Sequence, residues 1–331
     1  MDIIMEATRH LNTEYSKFQD PLSIYLKRPG CPSCYTSTNA AKLEVQSQPS
    51  AEKLPLDQQG QFLSGYTNHR VFFSYYRCPT CQLLYCPTYF TQDQLDNLYN
   101  SQSENMAEAP LSARDQTQKA YFKLLKQYPV PQGDYLEIGP DIGLFAKFFT
   151  NNDQINQLFL YEPNGEVHET LKKNVHQKKY SILTKNYSFS DLATNQLSIA
   201  VIIHALDHVL NPRQLLQELY QNLKPGGIIF IVTHDESSLL AKLLKKKWPP
   251  YTLQHPQLFS PATIQNILRV EGFQVLTTTK TANYFPLTHF IKGGLTALGL
   301  NKIPLPDFKR FIIPIKLGNI ATIAQKPMES L

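Results

Sequence analysis

At 331 residues the chain has room for one full α/β domain and one small module, the latter below the size at which a core holds unaided. Its formal net charge of +5 is mild, and the lysine clusters at Lys172-Lys173, Lys178-Lys179 and Lys245–Lys247 read as solvated surface. A dedicated nucleic-acid binder would more often show a basic stripe interleaved with aromatics, and no window reaches the roughly 18 apolar residues of a spanning helix.

Residues 1–22 form an N-terminal segment without the basic-then-apolar pattern of a leader, so a cytoplasmic protein with reduced thiols is expected. The next segment, 23–98, carries Cys31-Pro-Ser-Cys34 and Cys78-Pro-Thr-Cys81. A C-x-x-C turn presents two thiolates to one face of a tetrahedral ion, so two such turns predict a structural Zn2+ site on Cys31, Cys34, Cys78 and Cys81. Roughly 43 residues separate the turns, more than in a compact finger, and Arg77 to Tyr85 continues as an apolar strand as zinc ribbons do. A redox pair would need a thioredoxin-like strand–helix frame that is not evident, and Cys86 is expected as a small buried hydrophobe. Thr91 to Asn100 and Ser112 to Tyr128 read as helices, and 99–130 as a helical linker closed by Pro129 and Pro131.

The remainder, 131–331, alternates strands and helices as a doubly wound α/β domain does. Tyr135 to Ile138 is a short buried strand, Gly139 a tight turn, and a helix is predicted to open near Gly143. Such a turn brings backbone N–H groups up to a ligand at a strand end, though a turn Gly139 and a packing Gly143 would satisfy the same pattern. Leu158 to Glu162 is a second strand with a carboxylate at its end, where a nucleoside-binding sheet places an acceptor for ribose hydroxyls. Ser198 to His204 is a near-continuous apolar run fit for a central strand. Pro212 to Leu223 has helical spacing, and Lys224-Pro225-Gly226-Gly227 turns into the strand Ile228 to Val232. A Pro- and Phe-containing stretch at about 284–312 reads as a lid-like insertion before the closing strand Asn319 to Ala324, and its apolar run His289 to Leu300 is fit for a lid helix, a dimer surface or a membrane-surface contact, the lid being the mildest reading.

Taken in order, these segments resemble a class I S-adenosylmethionine-dependent methyltransferase over roughly 131–326. The resemblance rests on Leu136 to Gly143, Tyr161-Glu162-Pro163, His204 to Val209, Leu223 to Gly227 and Ser260 to Phe273. It implies a Rossmann-like sheet with helices on both faces, with S-adenosyl-L-methionine held by Glu137, Gly139, Pro140, Asp141, Gly143, Glu162, Pro163 and His204. Such families usually carry Gly where Asp141 stands; Asp tolerates left-handed angles and can cap a following helix, while its charge lies near the cofactor's cationic part. An acid for the adenine has no clear equivalent at Lys185-Asn186-Tyr187. A zinc ribbon before this domain is also the layout of bacterial deoxysugar and other small-molecule methyltransferases, although the sugar C-methyltransferases carry a further C-terminal domain.

The activated methyl leaves the enzyme to align the acceptor, exclude water and, for a hydroxyl or carbon acid, supply a base. His255, in the loop after the fifth strand, is the candidate base, although relatives often have an acid where Gln254 stands. His204 is expected beside the cofactor's methionine part. Asp207 and His208 fall where some quinone-biosynthesis O-methyltransferases hold a cation, with capping and packing the simpler role. The expected acceptor is a small molecule such as a sugar, nucleotide sugar or other metabolite. RNA held by the ribbon is the enzymatic alternative, and a degenerate scaffold, suggested by Asp141 and Gln254, the non-enzymatic one. No oligomeric state follows from the sequence.

Overall fold

The computed structural model describes residues 24–62, 70–99, 110–184, 192–287, 311–316 and 318–328. Two compact units emerge, and the chain passes between them more than once: one takes 1–100, 204–218 and 233–272, the other 101–203, 219–232 and 273–331.

The second unit is built on a seven-stranded sheet. Its strands are β6 (Gly133–Ile138), β7 (Ile155–Tyr161), β8 (Tyr180–Leu183), β9 (Leu197–Ile203), β10 (Leu223–His234), β12 (Gln274–Lys280) and β15 (Asn319–Gln325). Their order is β12-β15-β10-β9-β6-β7-β8, with β6 pairing in parallel with both β7 and β9, β9 with β10, and β12 antiparallel to β15. This is the mixed sheet of a class I methyltransferase fold. The strands called from apolar runs are the fully buried ones: all six residues of β6 and six of the seven in β9 are buried. Tyr135, Leu158, Leu160, Ile199, Val201, Phe230 and Val232 pack in one core with Phe145 and Phe149.

The predicted helix at Gly143 is a correction. A run of turns leads instead into a 3-10 segment, Ala146–Phe149. Only six residues separate Gly143 from Thr150, and Asn151-Asn152-Asp153 follows. Asn and Asp favour turns over helix, so the segment closes there on the tighter helix. The linker helix runs Leu111–Leu125, and the late helix Pro261–Val270 opens on a Ser260/Thr263 capping box. Of the predicted insertion, the ends form an antiparallel ladder, β13 (Asn283–Pro286) with β14 (Ile312–Ile315). Residues 288–310, with the apolar run His289 to Leu300, lie outside the described residues, as do 1–23 and Lys185-Asn186-Tyr187.

In the first unit, β2 (Lys42–Val45), β3 (Tyr75–Arg77), β4 (Leu84–Tyr85) and β11 (Gln257–Leu258) form a small sheet in the order β11-β4-β3-β2; β1 (Leu26–Lys27) pairs with β5 (Thr88–Tyr89). Its core is aromatic: Phe72, Phe73, Tyr75, Tyr89, Phe90, Trp248 and Tyr251 are buried together. Cys86 sits in that core at 0% exposure, as a small hydrophobe would. Buried Tyr75 and Tyr89 place their hydroxyls on the carbonyls of His255 and Leu253, at 2.6 and 2.5 Å. The strand meander and the 248–258 loop are thereby one packed body.

Candidate functional site

The glycine turn is held by the acid predicted to bind ribose. Both oxygens of Glu162 accept backbone N–H groups, Asp141 N at 2.9 Å and Asn164 N at 2.9 Å. Each oxygen keeps a second lone pair, so the carboxylate retains capacity for a vicinal diol. Glu162 is buried; burial raises its pKa, opposed by those two N–H groups and by His168. Gly139 continues the ladder, its N–H on the Tyr161 carbonyl at 2.9 Å, and the buried Pro140 accepts Gly143 N at 2.8 Å. Pro163 is exposed, following Glu162 out of the strand.

Asp141 occupies the left-handed region at φ 52, the angle a glycine would otherwise supply. Its carboxylate faces Arg114 at 4.0 Å. The sequence offered no sign of this partner, because Arg114 lies on the linker helix far from the turn. Gly143, at φ +76, has a packing role: a Cβ there would stand 2.6 Å from Leu171 Cδ1. Glu137 is fully enclosed in β6 and accepts the Tyr135 hydroxyl at 2.5 Å; burial pushes it up to about 8, with Tyr135 opposing.

The four cysteines converge. Their thiols lie within 4.8 Å of one another, with Cys31–Cys81 and Cys34–Cys78 each at 3.5 Å. Thiolates at about 2.3 Å from a tetrahedral ion would stand about 3.8 Å apart, so the cluster is compatible with zinc. The two knuckles repeat each other. Tyr35 and Gln82, one past each second cysteine, adopt φ 60 and φ 63, and their N–H groups reach the carbonyls of Cys31 and Cys78 at 2.9 and 3.1 Å.

A cluster of imidazoles in the same unit was only partly legible. His255 is buried, and its Nδ1 lies 2.6 Å from the Pro250 carbonyl. A carbonyl only accepts, so Nδ1 carries the proton and Nε2 holds the lone pair. Nε2 stands 3.1 Å from His208 Nε2, which therefore donates. His234, the last residue of β10, lies tilted 4.8 Å from His204 and edge-on 5.2 Å from His255 between ring centroids. His204 itself holds φ 50, in the left-handed region that histidine enters more readily than most side chains. Burial lowers His255 and His204 well below the usual imidazole range and His208 to about 4, while it pushes Asp207 up to about 8. At neutral pH the imidazoles of His204, His208 and His255 are uncharged. Sequence analysis overlooked His234; its place directly after an apolar strand, as for His204, was the available signal.

The model of the methyltransferase domain family matches residues 112–278, about half of the 331-residue chain. A highly reducing polyketide synthase of Talaromyces stipitatus is 24% identical over 220 residues, 57% of this chain but only 8% of the synthase. An uncharacterised protein of Methanocaldococcus jannaschii is 24% identical over 164 residues, 49% of this chain and 75% of that one. Among solved structures, a SAM-dependent methyltransferase from Aquifex aeolicus aligns at a TM-score of 0.45 and 12% identity, over 66% of this chain and 95% of that chain.

Proposed function

Because the chain belongs to the methyltransferase domain family it is an S-adenosylmethionine-dependent methyltransferase, and we propose that it methylates a small-molecule acceptor whose proton is taken by His255. S-adenosylmethionine, when bound, supplies an electrophilic methyl group. Glu162 would accept the ribose hydroxyls through the lone pairs it does not spend on Asp141 and Asn164. Glu137, Gly139, Pro140, Asp141 and Gly143 shape the turn beside it, with Pro163 and His204 at the ends of their strands. Arg114 offsets the negative charge of Asp141, so the departure from glycine alters the charge of the turn less than the residue type alone implies. The Cys31, Cys34, Cys78 and Cys81 cluster would hold a structural zinc ion, coupling metal binding to folding of the small sheet.

The observation that carries the acceptor half is the fixed tautomer of His255. With Nδ1–H on the Pro250 carbonyl, the lone pair of His255 is on Nε2, where it accepts from His208 Nε2 until an acceptor hydroxyl takes that place. Depression of its pKa keeps it unprotonated at neutral pH, the state a general base requires. A sugar or other hydroxyl-bearing metabolite fits this chemistry, and the modest net charge of +5 favours it over RNA.

The test uses S-adenosylmethionine with an isotopically labelled methyl group, offered together with a metabolite extract and with total RNA. Label is expected in the low-mass fraction, and His255→Gln should lower transfer at least about 100-fold while leaving S-adenosylhomocysteine affinity unchanged. Label confined to RNA would overturn the acceptor class, and full transfer by the variant would overturn the base.

A further inference from the structure

We propose that Asp207, His234 and His255 form a second metal site, separate from the four cysteines, which takes a divalent transition ion of the zinc class. One ligand atom from each of these three residues lies within 4.8 Å of the others. They come from three separate segments: a 3-10 turn at Leu206–His208, the end of β10, and the loop before β11. Two imidazoles and one carboxylate are a borderline-soft donor set with positions left over, the composition that suits zinc, iron(II) or cobalt(II) rather than magnesium or calcium.

A second observation points to an ion. Asp207 is 0% exposed; Oδ2 accepts His234 N at 3.2 Å, whereas Oδ1 has no hydrogen-bond partner among the described residues. A buried carboxylate oxygen without a partner is costly, and a cation beside it removes the cost. His255 is prepared for ligation in the way metal-bound histidines usually are, its Nδ1–H engaged by the Pro250 carbonyl so that Nε2 is presented. His204 and His208 border the cluster, and an ion on His255 Nε2 would displace the hydrogen bond that His208 Nε2 donates there.

The site has a consequence that rests on the proposed role of His255. An ion on Nε2 occupies the lone pair that would receive the acceptor's proton, so the metal-loaded enzyme is held inactive and a chelator that empties this site restores it. Zinc or a similar ion would act there as an inhibitor, while the cysteine-bound ion is structural.

The experiment is metal stoichiometry on the full chain, stripped and then reloaded with Co2+ or Zn2+. The wild type should hold two ions per chain, and Asp207→Asn and His234→Gln one. The cobalt–thiolate absorption of the cysteine site should be unchanged in both variants, which shows that the unit containing both clusters is still folded. One ion in the wild type and one in each variant would overturn the site. Activity separates the two proposals: micromolar Zn2+ should inhibit the wild type and spare His234→Gln. Two ions bound without inhibition would leave the metal site standing and overturn the switch, and with it the role of His255.

Discussion

Replacing Glu162 with Ala removes the group that both ties the glycine turn and would bind the ribose. The carboxylate accepts two backbone N–H groups at 2.9 Å each, from Asp141 and Asn164. Hydrogen bonds to a charged acceptor contribute about 1.5–3 kcal/mol apiece, and both amides sit at partly exposed residues where water can replace the lost oxygen. The combined loss of stability should therefore be about 3 kcal/mol, the low end for two such bonds. For the cofactor, losing the ribose hydrogen bonds should cost about 1.5–3 kcal/mol, or about 10- to 150-fold in Kd. Urea unfolding and calorimetric titration with S-adenosylhomocysteine, run on the same preparations, separate the two effects. Glu162→Gln keeps one carbonyl oxygen and should fall between wild type and Ala in both. An Ala variant that melts early but binds S-adenosylhomocysteine as the wild type does would refute the placement of the cofactor. An unchanged urea midpoint would refute the account of the turn.

Gly143→Ala places a Cβ 2.6 Å from Leu171 Cδ1 at φ +76, so it should destabilise the second unit by about 1–3 kcal/mol in thermal melts; a neutral outcome would mean the turn is not pinned against Leu171. Glu137 is raised by burial to about 8 from 4.5, so the folded state keeps a proton that the unfolded chain releases. Stability should fall as pH rises from about 4.5 through about 8, and Glu137→Gln should flatten that slope; an identical slope in the variant would assign it to other groups.

What was legible in the sequence followed the physics of each segment. β9 and the Ile228 to Val232 part of β10 are buried on both faces and nearly all apolar, so their runs stand out without any alternation, whereas β7 is only half-buried and β6 buries Asp134 and Glu137 as well. The cysteine knuckles were legible because their chemistry is local: each is a complete turn whose spacing alone fixes two ligands. The turn after β6 differs from the expected helix near Gly143 because the strand–turn–glycine pattern marks where a helix can open, not how far it runs, and here only the 3-10 segment Ala146–Phe149 forms before Asn151 to Asp153. The aromatic core of the small unit was invisible for the opposite reason. Phe72, Phe73 and Tyr75 find Trp248 and Tyr251 nearly 180 residues away, and no periodicity marks either segment.

The histidines show where local inference ends. His204, Asp207, His208, His234 and His255 span a range in which each is separately explained as a strand terminus, a capping residue or a loop side chain. Only the parallel pairing of β9 with β10, Val232 opposite Ile203, puts the residues that follow those strands side by side. The Tyr75 hydroxyl on the His255 carbonyl then seats the loop from the other direction. Residue type said that each could titrate or ligate; topology brings them to one place. A fully buried carboxyl group with one idle oxygen, beside the imidazoles of His234 and His255, is a net cost to the fold. That cost is most simply explained by an occupant, and the stoichiometry of bound metal is the observable on which the explanation stands or falls.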